Sequence, residues 1–196
     1  MKRKFLFLVL AISISYLINT YYIDHLLNIF KIMSNVALIL NRVSLALLCY
    51  LIFEVIFIDK KIIWDNLIAK SFLVYFIWLI GLLFGRVSNL ADYRLDEHFN
   101  FSTHLPKWIN HWDNPLVRYY IVGNILVYLP FGFFICYYKN LKYSILYCLL
   151  LIILFETLQG VSNLGYFDID DILLNSIGGL MGILLMKGFK AFFLAK

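Results

Sequence analysis

Charge is scarce in this chain. Of its 196 residues only 15% are charged, where a soluble domain carries about a quarter. The hydrophobic fraction reaches 63% and is arranged in long runs, which points to membrane spans rather than a water-covered core. No stretch remains that would make a separate soluble domain of ordinary size. The formal net charge of +5 is too modest to indicate a nucleic-acid partner. Cysteine is also sparse. Cys49, Cys136 and Cys148 all lie in apolar runs with no CxxC or Cys/His ligand spacing, so they are expected as small buried hydrophobes. A cleavage site is missing as well. The start "MKRKFLFLVLAISISYLI" has a basic head and an apolar run, but "NTYYID" follows it, so a retained first span is expected.

What the chain has in quantity is spans. Six runs are long enough to cross a bilayer, at roughly 5–23, 36–58, 67–85, 119–138, 143–161 and 172–190. The expected fold class is all-α, a polytopic transmembrane helix bundle of about six spans, multi-pass in the cell membrane. Basic residues set the orientation. With the N-terminus cytoplasmic, Lys2, Arg3, Lys4, Lys60, Lys61, Lys139, Lys142, Lys187, Lys190 and Lys196 all fall inside. Both termini are therefore expected in the cytoplasm. The organisation expected is three spans and a long outer loop over 1–118, a three-span core over 119–190, and a cytoplasmic tail over 191–196. Between the first two spans, "DHLLNIFKIMSN" places its apolar residues on one side, as a short interfacial helix does. Glu54, near the inner end of its span, is expected to pair with Lys60 and Lys61.

The outer loop 86–118 holds His98, His104 and His111 with Trp108 and Trp112. No HxxxH or HxH pair puts ligands on one helical face, so the expectation is a solvated loop with interfacial tryptophans.

The informative residues are the polar ones inside spans, because an ionisable group in a membrane is a functional candidate by default. Arg42, Asn124, Glu156, Gln159 and Asn175 come from four spans, at roughly 3–9 Å below the outer boundary at 1.5 Å per residue. Glu156 and Gln159 are i,i+3 and share a face; Asp171 and Asn175 are i,i+4 and share another. Just before them, "YFDIDDILLN" packs Asp168, Asp170 and Asp171 into four residues. Asp168 suits a helix cap, and the helix dipole favours carboxylates in a first turn. Three such carboxylates repel unless a cation intervenes, which makes Asp168 and Asp171 candidate ligands of a divalent cation such as Mg²⁺ or Ca²⁺. Glu156 has two readings of similar weight, an ion pair with Arg42 that ties helices, or a general acid/base. Asn124, Gln159, Asn175 and Arg42 are the candidate ligand-binding residues.

Two backbone features frame the cluster. Pro130 cannot donate to the carbonyl of Leu126 and is expected to kink or break the fourth span, with Gly132 beside it. Gly178 and Gly182 form a GxxxG on the sixth span, which admits a close helix neighbour. Both are expected to serve packing.

Taken in order, "GNILVYLPFGFF", "FETLQG" and "FDIDDILLNSIGGLMG" resemble the VanZ-like membrane proteins, whose pattern falls here on Asn124, Pro130, Gly132, Glu156, Gln159, Asp168, Asp171, Asn175, Gly178 and Gly182. The resemblance covers about residues 119–186, with a weaker echo from the third span onward. Many members carry an Arg shortly before the Asp run, where this chain has Gly165; an anion-binding role there would be vacant or would fall to Arg42, Arg86 or Arg118. The family's namesake is associated with bacterial resistance to teicoplanin, so the resemblance implies a cell-envelope role. An apolar groove with polar residues at headgroup depth points to membrane lipids or lipid-linked envelope molecules as partners. Whether the chain is an enzyme stays open at this point. A binding protein with an outward-facing polar pocket stands first, and a metal-assisted hydrolase or transferase on a lipid headgroup second. A transporter ranks last, since no second half with matching broken helices is present.

Overall fold

Hydrocarbon offers backbone N–H and C=O groups no partner, so an apolar chain entering it must satisfy them within a helix. A computed structural model of the chain describes residues 2–23, 35–57, 64–85, 98–162 and 164–194. Its architecture is all-α, and six of the described helices are long and apolar enough to cross a membrane. They fall within a few residues of the runs expected from hydropathy. The expected interfacial helix lies at 24–34, outside the described residues, as do Lys60 and Lys61. The chain parts into two compact units, residues 1–87 and 88–196.

The first unit holds α1 (Lys2–Ile18), which runs on through a π-helical turn at Asn19–Ile23, then α2 (Asn35–Phe57) and α3 (Trp64–Phe84). A polar seam joins α1 to α2. Ser15 Oγ donates to the Arg42 carbonyl at 2.7 Å, and Asn41 Nδ2 donates to Asn19 Oδ1 at 2.7 Å. Such bonds are retained in apolar surroundings because the alternative is an unpaired polar group. Farther along, Phe7 packs against Phe53 and Phe57. Glu54 pairs with Lys70 of α3, which supplies the cation that sequence reasoning sought in the following loop.

The second unit holds β1 (Phe99–Asn100), α4 (Leu105–Asn110), α5 (Pro115–Tyr138), α6 (Leu141–Ser162), β2 (Phe167–Asp168) and α7 (Ile169–Phe189), with a π-helical turn at Lys190–Leu194. Local signals set the helix starts. Asn114 caps α5 by accepting from the Leu116 N–H at 3.0 Å, and Pro115 follows at the first helical position. This start is four residues earlier than hydropathy alone suggests. Asp168 caps α7 by accepting from the Asp170 N–H at 2.9 Å, so Asp170 sits in the helix's first turn rather than in the turn before it.

Glycine sets how closely α5 and α7 approach. A Cβ at Gly178 would lie 2.1 Å from the Ile125 oxygen, and one at Gly182 only 1.9 Å from that of Leu129. From the other side, a Cβ at Gly132 would meet the Gly179 oxygen at 1.9 Å. The two backbones therefore touch directly, as GxxxG predicts. Pro130 does not break α5, which is one helix from Pro115 to Tyr138. A single missing donor is tolerated in a membrane helix held by close neighbours. At the far end of α5, Lys190 Nζ donates to the carbonyls of Cys136 at 2.6 Å and Tyr137 at 2.8 Å, filling acceptors that a helix terminus leaves open.

Candidate functional site

In the second unit, the start of α5, the end of α6 and the start of α7 belong to one end of the helices, and the segment 98–114 folds over it. The described part of the expected solvated loop is thus docked. β1 and β2 pair in parallel, Phe99 against Phe167 and Asn100 against Asp168. Around this short bridge the rings stack: Phe99 on Phe167 with centroids 5.3 Å apart, and His98 on Tyr166 at 4.6 Å and 6°. His98 Nδ1 lies 3.0 Å from the Gly165 carbonyl. Gly160 makes room for the bridge, since a Cβ there would lie 3.0 Å from the Phe99 ring and 3.1 Å from the Phe167 Cβ.

The three aspartates each hold a different part of this cap. Asp168 takes the helix N–H through Oδ1 and the Asn100 amide through Oδ2 at 3.2 Å. Asp170 is fully buried and accepts from Thr103 Oγ1 at 2.5 Å and the His104 backbone N–H at 2.7 Å. Asp171 Oδ1 accepts from the Tyr120 hydroxyl and from Asn124 Nδ2 at 2.7 Å, both on α5. Donor hydrogen bonds and the α7 N-terminus thus offset charges that the sequence alone left to a cation. Among the described residues, no group of three or more His, Cys, Asp or Glu side chains converges as metal ligands.

One turn below Asp171, Asn175 Nδ2 donates to Glu156 Oε1 of α6 at 3.0 Å, and each residue is only 1% exposed. Gln159 is buried on the same α6 face, and a Cβ at Gly165 would lie 3.1 Å from its Nε2. A long side chain at 165 would crowd that amide, so the glycine and the glutamine suit each other.

The structure thus brings Asn124 to Asp171 and Glu156 to Asn175, with α7 carrying one member of each pair. Arg42 belongs to the first unit, where its guanidinium lies 5.8 Å from the Tyr16 ring. Arg118 is exposed, and Arg86 lies outside the described residues. The first unit also has a cavity of about 420 Å³ between α2 and α3, lined by Asn41, Ser44, Ser71, Tyr75 and Trp78 among others, and none of the expected site residues lines it. Residues that sequence reasoning passed over are Tyr120, Asn100, Thr103 and the partner role of Asp170. Tyr120 had a signal, being i,i+4 from Asn124 and so on its face. Thr103 and His104 had none, since their bond to Asp170 spans more than sixty positions.

Chemically, the capped end presents oxygen acceptors deep in helices suited to hydrocarbon. The polar positions of the motif pattern, Asn124, Glu156, Gln159, Asp168, Asp171 and Asn175, lie at this end, and its glycines lie at the α5–α7 contact beyond it. No curated protein and no solved structure matches the chain. The family model described as VanZ/LLP1 matches residues 45–193, reaching back into α2 well beyond the motifs themselves. This multi-pass membrane protein belongs to the VanZ/LLP1 family.

Proposed function

We propose that the capped end of the second unit binds the polar headgroup of a membrane lipid or a lipid-linked envelope molecule, in the bacterial cell membrane. The basic residues support an orientation with that end outward and both termini cytoplasmic. The Glu156–Asn175 pair carries the proposal: a carboxylate and an amide hydrogen-bonded within helices suited to cross hydrocarbon. Asn124 and Gln159 add polar groups at the same end. Through this site the protein contributes to resistance against teicoplanin-type glycopeptides, by binding the drug's lipid tail or the lipid-linked precursor. The test is lipid retention by the purified protein, read by native mass spectrometry, beside the teicoplanin susceptibility of a deletion strain. Retained envelope lipid and raised susceptibility are expected. If the protein retains neither an envelope lipid nor a lipoglycopeptide, the binding proposal fails.

The buried Glu156 carboxylate also favours a second reading, a metal-assisted hydrolase or transferase on an envelope lipid headgroup. Glu156 would act as general acid or base, with Asp168 and Asp171 holding Mg²⁺ or Ca²⁺. Each oxygen of Asp168 already accepts one hydrogen bond, from Asn100 or from the helix cap, so a cation there would share the carboxylate with them. Comparing envelope lipids of wild type and Glu156→Gln separates the two readings, because identical profiles eliminate catalysis.

A further inference from the structure

Five side-chain donors at the capped end go to the protein's own carboxylates. Asn100 Nδ2 goes to Asp168, Thr103 Oγ1 to Asp170, the Tyr120 hydroxyl and Asn124 Nδ2 to Asp171, and Asn175 Nδ2 to Glu156. These commitments orient the two buried-end amides. Asn175 turns its nitrogen to Glu156 Oε1 at 3.0 Å, which leaves its Oδ1 facing elsewhere. Asn124 is oriented in the same way by Asp171. The Asn175 Oδ1 is buried and takes no hydrogen bond among the described residues. A buried acceptor in this state costs free energy until a donor reaches it. Lys107 and Arg118, the basic residues described at this end, are exposed. The groups that ordinarily bind phosphate are therefore not the ones facing inward.

We infer that the site selects headgroups by their hydrogen-bond donors, hydroxyl or ammonium groups, and discriminates against phosphate alone. The inference rests on the lipid-binding proposal above. An O–H or N–H of the ligand completes the Asn175 oxygen, whereas a phosphodiester oxygen placed there sets acceptor against acceptor.

Three lipids with identical acyl chains test this: phosphatidylmethanol, phosphatidylethanolamine and phosphatidylglycerol. All carry a phosphodiester; the first has no donor, the second an ammonium, the third hydroxyls. Full-length protein in nanodiscs is challenged with each, and retention is read by native mass spectrometry. Phosphatidylethanolamine or phosphatidylglycerol should be retained about tenfold over phosphatidylmethanol, the worth of roughly one well-made hydrogen bond. Whichever of the two wins identifies the donor as ammonium or hydroxyl. In Asn175→Ala the preference should collapse. Equal retention of phosphatidylmethanol overturns the inference while leaving lipid binding intact, and so does a preference that survives in a folded Asn175→Ala. Retention of none of the three overturns the binding proposal and this inference together. The ranking on the unmodified protein decides the matter even where the variant does not fold.

Discussion

Asn175 of α7 and Glu156 of α6 share a hydrogen bond of 3.0 Å in surroundings that leave each 1% exposed. The same helix sends Asp171 to α5 one turn earlier, and Asp168 and Asp170 to the cap just before that. Beyond Asn175 the helix turns to glycine, and polar contacts give way to backbone contact with α5. A single run, from Asp168 to Gly182, thus organises cap, polar cluster and helix packing in turn.

The glycine contact makes a sharp contrast testable. Gly178→Ala and Gly182→Ala each drive a methyl into a backbone oxygen of α5, which has no rotamer with which to yield. Each should lower stability by about 1–3 kcal/mol, the usual cost of overpacking. Gly123 and Gly188 are helical too, but a Cβ added at either meets nothing within 4 Å. Gly123→Ala and Gly188→Ala should be neutral or gain up to about 1 kcal/mol from helix propensity. Thermal unfolding of the four variants in one detergent decides it; equal losses at all four would refute the close contact.

Asp170 should be the strongest single anchor of the cap. It is fully buried and accepts two hydrogen bonds, and bonds to a charged group contribute about 1.5–3 kcal/mol each. Asp170→Ala should therefore destabilise markedly and open the 98–114 segment to limited proteolysis. Thr103→Val removes one of the two donors. A double-mutant cycle of Asp170→Ala with Thr103→Val should give a coupling of about 1–2 kcal/mol. Additive losses would mean that the two side chains do not interact in solution.

Much of this was legible along the chain, for a definite reason. Hydropathy reports burial in hydrocarbon, so the six spans emerged with nearly correct bounds. Asp168 was readable as a cap because capping is local. Glu156 and Asn175 stood out because polar residues are costly in a span. Long-range pairing left no such trace. The β1–β2 bridge is two residues per strand, too short for a period-2 pattern, and it docks the described part of the outer loop as a cap while most of its residues stay exposed. The donors that meet Asp168, Asp170 and Asp171 left no sign along the chain, because most come from segments distant in sequence. At Pro130 the local rule allowed a kink or a break, and α5 continues unbroken through it.

Lys190 should contribute to the opposite end of the same unit. Its ammonium donates to the carbonyls of Cys136 and Tyr137 and lies 5.7 Å from the Tyr137 ring. Lys190→Met keeps an apolar stem and removes the donors, so the loss measured is that of the cap. A destabilisation of about 1–2 kcal/mol is expected from charge-assisted bonds at a helix C-terminus. Lys190→Arg, which retains the charge and donors, should recover part of it. Thermal unfolding of the three proteins provides the comparison, and an unchanged midpoint in Lys190→Met would show that the terminal carbonyls are served by other groups.

Stability and function should separate at the central pair. Asn175→Leu removes the amide from Glu156, and Glu156→Met removes the acceptor from Asn175, so each single change takes this hydrogen bond from a buried polar group. Each should cost about 1–3 kcal/mol for the loss of this one hydrogen bond between buried groups. Replacing both leaves an apolar contact between α6 and α7, and such double replacements are often neutral or stabilising relative to the buried polar pair. Glu156→Met with Asn175→Leu should therefore unfold at a higher temperature than either single variant. If the pair exists for function, the double variant will be well folded yet lose lipid retention and the teicoplanin phenotype. A double variant that keeps both would identify Glu156 and Asn175 as a structural lock between helices and move the ligand site elsewhere.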